Sequence, residues 1–149
     1  MILIDTNVVS EPWKPKPDRH VIAWLDAQVM ETLYLSTVTI AELRYGIAAL
    51  PRGKRRTVLD TRLERTLLPL FAPRILPFDL AATRTYAELM SSVRATGRPI
   101  STADGYIAAI AAAHGMSVAS RDTAPFTAAG VDVIDPWASG PQATGRAPD

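Results

Sequence analysis

The first twelve residues, MILIDTNVVSEP at positions 1–12, contain the pattern from which the fold of the whole chain is inferred. Residues 1–4 form a short apolar run of the kind that makes a buried strand, and the run ends on Asp5. One interpretation is that Asp5 begins a short helix, because Asp is a favoured N-cap residue. The other is that the strand delivers the Asp5 carboxylate to an active site. The position of Asp5 alone does not decide between them.

The composition excludes several classes of protein. The chain has no cysteine, which excludes disulfide frameworks, thiolate zinc sites and cysteine nucleophiles. The formal net charge is +1, so a nucleic acid would have to bind a local patch rather than the chain as a whole. The sequence has no signal-peptide pattern and no apolar run of about 18 residues, so we expect a cytoplasmic protein without a membrane span.

Short apolar runs alternate with segments of helical period along the 149 residues. The predicted strands are residues 1–4, 33–36, 75–78, 117–120 and 131–134, and the predicted helices are residues 18–30, 39–50, 57–71, 81–95 and 102–114. This alternation is typical of βαβ units, so we predict an α/β fold with a largely parallel sheet. The Pro- and Gly-rich residues 138–149 are predicted to be a disordered tail, which leaves one domain over residues 1–137.

Three further carboxylates stand near the ends of these predicted elements. Glu42 follows Thr39 by three residues, and Asp104 follows Ser101 by three residues. A hydroxyl at the N-cap with an acid at the third helical position is a capping pattern, so each acid has a purely structural interpretation. Asp122 follows a predicted strand and is also a candidate helix cap.

The four acids gain a different meaning when they are considered together. Asp5 and Asp122 end strands, and Glu42 and Asp104 begin helices, and these two kinds of end share the ligand-binding edge of a parallel sheet. Four negative charges there need neutralisation by helix N-termini or by a divalent cation. Ligands that are all oxygen favour Mg²⁺ or Mn²⁺, and such an ion suits the hydrolysis of a phosphodiester.

Four stretches of the chain carry a resemblance to a known family. They are LIDTNVVSE, TVTIAELRYGI, ADGYIAAIAAAHGMSVASRDTAPF and IDPW, which together span most of residues 1–137. In these stretches the sequence resembles the PIN-domain ribonucleases, and among them the VapC toxins of the FitB-like branch. The resemblance implies a five-stranded parallel sheet in the order 3-2-1-4-5, flanked by helices. That order would place the first and fourth strands, and therefore Asp5 and Asp122, side by side.

The resemblance also assigns roles to individual residues. Asp5, Glu42, Asp104 and Asp122 match the acidic quartet of the family, and Thr6 matches the hydroxyl residue beside the first Asp. We expect Asp5 and Asp104 to be the main metal ligands and Asp122 to be a supporting ligand, directly or through water. Glu42 is expected to orient water or a second ion. Many relatives have Asn where this chain has Asp122, so the fourth acid is expected to tune the metal site.

The function implied by the resemblance is that of a toxin in a type II toxin–antitoxin pair. Such a toxin is a Mg²⁺-dependent endoribonuclease, a hydrolase that cuts phosphodiester bonds in RNA. A small VapB-like antitoxin would inhibit it, operator DNA would be bound only through that antitoxin, and the toxin is expected to form a homodimer. A second hypothesis keeps the fold but makes the chain a largely non-catalytic partner of a DNA-binding antitoxin in a regulatory complex.

Other candidate features have weaker functional interpretations. Phosphatases that use an aspartyl nucleophile need a second Asp two residues after the first, and here that position is Asn7. His20 and His114 are expected to be structural or solvated. The basic run at residues 52–56 is either a solvated loop or a contact for RNA phosphates. The apolar side chains at Leu59, Leu63 and Leu67 are expected to be core, with a share lining a partner groove or dimer face.

Overall fold

The structure is a computed structural model that describes residues 1–138, so all of the expected tail except Ala138 lies outside the described residues. The strands are β1 (Ile2–Ile4), β2 (Leu33–Ser36), β3 (Ile75–Leu76), β4 (Ser117–Ala119) and β5 (Val133–Ile134). The α-helices are α1 (Thr6–Ser10), α2 (Arg19–Ala27), α3 (Thr37–Ala48), α4 (Lys54–Thr61), α5 (Leu68–Phe71), α6 (Leu80–Ala95), α7 (Thr102–Ala113) and α8 (Ala124–Ala128). Short 3₁₀ turns cover Glu11–Trp13, Met30–Thr32 and Ala72–Arg74.

Within the described residues the strands form one five-stranded sheet in the order β3-β2-β1-β4-β5, with all pairs parallel. The predicted α/β fold and its strand order are therefore confirmed. In the register of the sheet, Ile2 lies opposite Leu33 of β2 on one side and Ser117 of β4 on the other. From β1 the strand order runs outward to β2 and β3 on one side and to β4 and β5 on the other. The residues that follow β1 and β4 therefore meet at the switch point of the sheet.

The sheet is covered by helices on both faces, and β1 contributes to both. Leu3 packs into a core cluster with residues of α6, α7 and α8, whereas Ile4 packs into a second cluster with residues of α1, α2 and α3. Successive side chains of a strand point to opposite faces, so a sheet buried on both faces requires the unbroken apolar run that residues 1–4 provide. No helix among residues 1–138 has both the length and the apolar character needed to cross a membrane.

Helix α3 begins earlier than predicted, and Glu42 takes no part in its N-cap. Ser36, the last residue of β2, has an extended backbone, and its Oγ accepts a hydrogen bond from the Thr39 N–H at 3.0 Å. The helix therefore begins at Thr37, and Thr39 itself occupies the third helical position. The prediction that Thr39 caps the helix with Glu42 at its third position is wrong.

The corresponding prediction for α7 is confirmed, because the Ser101 Oγ accepts the Asp104 N–H at 3.1 Å.

The helix predicted over residues 57–71 differs from the observed structure in its start and in its regularity. It begins earlier, at Lys54, and passes through a π-helical segment, Arg62–Leu67, before α5. The segment lies just before Pro69, which has no N–H to donate to the carbonyl of Arg65.

Candidate active site

Asp5 occupies the point where β1 passes into α1. Its Oδ1 accepts the Thr6 N–H at 2.8 Å, which makes Asp5 the N-cap of α1, and its Oδ2 accepts the hydroxyl of Ser120 at 2.7 Å. The side chain is only 7% exposed. The helix-cap interpretation of Asp5 is therefore confirmed, and the same carboxylate lies at the carboxyl edge of the sheet, where the active-site prediction requires it.

Ser120, directly after β4, is a residue that the sequence analysis missed. It is fully buried, and besides donating to Asp5 its Oγ accepts the backbone N–H of Asp122 at 3.2 Å. The Asn7 side-chain amide also lies 3.5 Å from this oxygen. One hydroxyl thus connects the residues after β1 with those after β4. The available signal was a small hydroxyl residue at the end of a predicted strand, two positions before an acid.

Glu42 reaches the same edge from the second turn of α3. Its Oε1 accepts the hydroxyl of Thr6 at 3.0 Å, which connects it to the residue beside Asp5. Partial desolvation raises the pKa of the Glu42 carboxyl, the Thr6 hydrogen bond lowers it, and the charges of Asp5 and Asp104 raise it, with a net shift upward. Glu42 is therefore part of the acidic group rather than a cap of α3.

Asp104 lies in the first turn of α7 and is partly exposed. The next residue, Gly105, is buried where α7 meets α6: a Cβ built there would lie 2.8 Å from Met90 Sδ and 3.1 Å from Tyr86 Cε2. The absence of a side chain at Gly105 lets the two helices approach closely at this point. That contact sets the position of the first turn of α7, and with it the position of Asp104.

The charges that act on the Asp5 carboxyl are those of Asp104 and Asp122. Burial raises the pKa of the Asp5 carboxyl, the hydrogen bonds from Ser120 and Thr6 lower it, and the charges of Asp104 and Asp122 raise it, with a net shift upward. The charges of Asp5 and Asp104 act in the same way on Glu42, so each of the other three predicted acids lies near Asp5. Among residues 1–138, however, no three carboxylate or imidazole side chains converge into a ready-made metal cage.

A cavity of about 310 Å³ adjoins the acids on the side of β2 and is called the α3–α4 cavity below. Thr6 and Glu42 form its border with the acids, and the rest of its wall is largely apolar, including Trp13, Leu43 and Leu59. Two cations, Lys14 and Arg55, also line it. Arg55 belongs to the basic run at residues 52–56, and it lines this cavity.

The closing IDPW stretch supports the residues after β4. The guanidinium of Arg121 lies 5.3 Å from the centre of the Trp137 ring, an arrangement suited to a cation–π contact. The Arg121 N–H also donates to Asn7 Oδ1 at 3.4 Å, and the Trp137 N–H donates to Asp135 Oδ1 at 2.9 Å. These contacts join the end of the described chain to the segment that carries Asp122.

Comparison with known proteins yields matches over nearly the whole chain. Residues 2–131 match the family described as PIN domain. The chain is 61% identical over 137 residues to the VapC ribonuclease Y4jK of Sinorhizobium fredii, and the match covers 92% of this chain and 98% of that protein. It is 53% identical to the toxin FitB of Neisseria gonorrhoeae, covering 92% of this chain and 99% of that protein.

Among solved structures, the chain is similar to one of FitAB bound to an IR36 DNA fragment. The TM-score is 0.91 at 51% sequence identity, and the match covers 94% of this chain and 98% of that chain.

The contacts of Ser120 lead to a prediction about stability and proton affinity. Ser120→Ala removes a buried hydrogen bond to a carboxylate, which should lower the free energy of unfolding by roughly 1.5–3 kcal/mol. It should also raise the pKa of Asp5 further, because the bond that it removes is one that lowers this pKa. Chemical denaturation and a carboxyl-carbon NMR titration measure the two effects. Ser117→Ala, at the other end of β4, is the control, and equal losses in both variants would contradict the role of Ser120.

Proposed function

We propose the function of this chain from the premise that it belongs to the PIN-domain family, in the branch of the VapC and FitB toxins. The chain is proposed to be the toxin of a type II toxin–antitoxin pair and to hydrolyse phosphodiester bonds in RNA with the help of Mg²⁺ or Mn²⁺. The observation that carries this proposal is the meeting of Asp5, Glu42, Asp104 and Asp122 at one edge of the sheet. The name of the relative Y4jK, a VapC ribonuclease, supports RNA as the substrate.

The residues present fit a hard divalent cation. Every candidate ligand is a carboxylate oxygen. Burial first, and then the neighbouring negative charges, raise the pKa values of Asp5 and Glu42, and a bound cation would offset both effects. Mg²⁺ commonly binds through one or two carboxylates and keeps several waters, so its binding does not require three converging side chains. We assign direct binding to Asp5 and Asp104 and a supporting contact, directly or through water, to Asp122.

We assign the other steps of the reaction to side chains of this protein. When bound, a divalent ion supplies an activated water and stabilises negative charge on the phosphoryl oxygens. Thr6 and Ser120 hold the Asp5 carboxylate and the Glu42 carboxylate in fixed orientations by their hydrogen bonds. Asp5 is buried, whereas Asp104 is half-buried and Asp122 is exposed, so a polynucleotide can reach these two acids from outside. To Glu42, whose pKa is raised mainly by partial burial, we assign the orientation of the attacking water.

The α3–α4 cavity is the place where an antitoxin is proposed to bind. Its wall is mainly apolar and it borders Glu42, so one helix of a partner can bury an apolar side chain there while a basic side chain reaches the acids. An Arg in that position would make charge-assisted hydrogen bonds to the carboxylates. The relative FitB is named a toxin, and the similar solved structure is that of a complex, FitAB, which supports this partnership.

A second candidate function is that of a largely non-catalytic partner in a DNA-bound regulatory complex. The observation in its favour is that the similar FitAB structure is bound to a DNA fragment. The two functions differ in what the chain does alone. A toxin should stop growth when expressed without its partner, and substitution of its acids should remove that effect. A regulatory partner should have no such effect.

The four acids should differ in their importance for RNA cleavage. Asp5→Asn and Asp104→Asn should be the most damaging, because each removes a full ligand charge. Asp122→Asn should reduce the rate by about 10–100-fold, as for a change in a supporting group. Glu42→Gln should fall between them. Rates of RNA cleavage and thermal unfolding are measured together for the four variants, with Asp26→Asn on the exposed side of α2 as the control. Because Glu42 does not cap α3, normal cleavage by Glu42→Gln would remove it from the active site.

Metal removal tests the proposed chemistry directly. Cleavage should require Mg²⁺ or Mn²⁺, should cease in EDTA and should not be restored productively by Zn²⁺, because the candidate ligands are all oxygen. Mg²⁺ should also raise the thermal unfolding temperature of the unaltered protein but not of the Asp5→Asn/Asp104→Asn double variant, since a ligand that binds the folded state stabilises it. Full activity in EDTA would refute the metal mechanism.

Gly46 offers a test of the antitoxin contact. It lines the α3–α4 cavity, and a Cβ built on it meets no atom within 4 Å. Gly46→Phe should therefore fill the cavity without disturbing the fold and weaken inhibition by the co-expressed antitoxin. The control Gly46→Ala should retain inhibition and gain about 0.5–1 kcal/mol in stability, because Ala replaces Gly inside a helix. Titration of cleavage activity with purified antitoxin measures the effect, and unchanged inhibition of Gly46→Phe would show that the antitoxin binds elsewhere.

A further inference from the structure

A second cavity borders the acids on the side of β4, away from the α3–α4 cavity. Its volume is about 640 Å³, and it lies between the loop that joins α6 to α7 and the segment of residues 122–128 that contains α8. Its polar lining includes the carboxylate of Asp122, the hydroxyls of Thr123 and Thr127, and the guanidinium of Arg98. We call it the α8 cavity. It opens directly onto one of the proposed catalytic acids.

A third cavity, of about 480 Å³, adjoins the α8 cavity and shares residues 98–100 of the loop with it. It extends along the end of α6, where Arg94 and Ser91 line it. Arg98 therefore stands between the two cavities, and Arg94 lies in the farther one. Asp122 lines only the α8 cavity, Arg98 lines both cavities and Arg94 lines only the third, so the two adjoining cavities form a path with a cation in each part and an acid at one end.

The polar side chains that line this path can pair with the parts of a nucleotide. A planar guanidinium matches a phosphate group with two parallel hydrogen bonds, and hydroxyls such as those of Thr123 and Thr127 can pair with ribose or base edges. The volumes lie within the range of about 300–1,000 Å³ typical of sites for small ligands. Bases can enter such cavities only when they are unpaired and unstacked, as in single-stranded RNA.

We infer that these two cavities bind consecutive nucleotides of single-stranded RNA beside the bond to be cleaved, with Arg98 contacting the phosphate between them and Arg94 the next phosphate outward. This inference rests on the proposed function, since it takes the scissile phosphate to lie at the acids. It explains how a chain with a net charge of only +1 holds a polyanion. The attraction is local, and it lies next to the negative cluster rather than spread over the surface.

The test measures RNA binding without cleavage. A fluorescein-labelled single-stranded RNA of mixed sequence is titrated with the full-length protein in EDTA, at several salt concentrations, and fluorescence anisotropy gives the affinity. Arg98→Gln and Arg94→Gln should each weaken binding and make the slope of log K against log salt shallower by about 0.7, the value for one lost phosphate contact on a single strand. The control Arg84→Gln, an exposed arginine on the same helix as Arg94, should leave the slope unchanged.

A second variant tests the cavity rather than the charge. Ala128 lines the α8 cavity, so Ala128→Phe should fill it and weaken RNA binding while all arginines remain. Circular dichroism and thermal unfolding establish that this variant is folded. The inference is overturned if Arg98→Gln binds RNA with the affinity and slope of Arg84→Gln. It is also overturned if Arg98→Gln changes only the affinity for the antitoxin, because the path would then belong to a protein partner.

These outcomes are separable from failure of the proposed function. If the unaltered protein binds RNA in an Arg98-dependent manner but cleaves none with Mg²⁺ or Mn²⁺, the nuclease proposal fails and the binding path stands. If it cleaves RNA and the Arg98 and Ala128 variants bind and cleave as before, the nuclease proposal stands and the path is wrong.

Discussion

The hydroxyl of Ser120 makes the interaction on which the arrangement of the acids depends. Its hydrogen bond to Asp5 joins the ends of the two central strands, β1 and β4, in a place that excludes water. Hydrogen bonds to charged groups gain strength in such surroundings, and an unpaired buried carboxylate would be costly. The same oxygen accepts the N–H of Asp122, so the first and fourth acids are oriented by one atom. The sheet brings the two strands together, and Ser120 converts that proximity into a defined geometry.

Holding the acidic side chains close together costs free energy. The pKa values of Asp5 and Glu42 are raised because desolvation and neighbouring negative charges disfavour their ionised forms. Part of this repulsion is offset by the amide groups at the start of α7, where Asp104 lies in the first turn. What remains is an open negative site that favours a cation from solution. Proteins often keep such unfavourable charge arrangements at functional sites rather than elsewhere.

The strand order was predicted from the family resemblance alone. The grouping of the acids was predicted from local patterns, because strand ends and helix starts share one edge of a parallel sheet. Both helices were predicted, with Ser101 correctly identified as the cap of α7 but Thr39 taken instead of Ser36 as the cap of α3. The choice between Ser36 and Thr39 depends on where the extended backbone of β2 ends, and both residues carry hydroxyls. Ser120 was missed because its importance comes from contacts over 100 positions away in sequence. The cavities beside the acids were also beyond prediction, since each is lined by several elements that only the folded chain brings together.

The parallel pairing of β1 with β4 has a consequence for how the chain acquires its site during synthesis. The first strand leaves the ribosome early, but its partner Ser117–Ala119 and the residue Asp122 are made more than a hundred residues later. Contacts of such large sequence separation form late in folding, because a long loop must close before they add stability. A nascent chain therefore carries Asp5 without its partners until most of the domain has emerged. The order of the strands itself delays the assembly of the acidic cluster until β4 and the residues after it have been made.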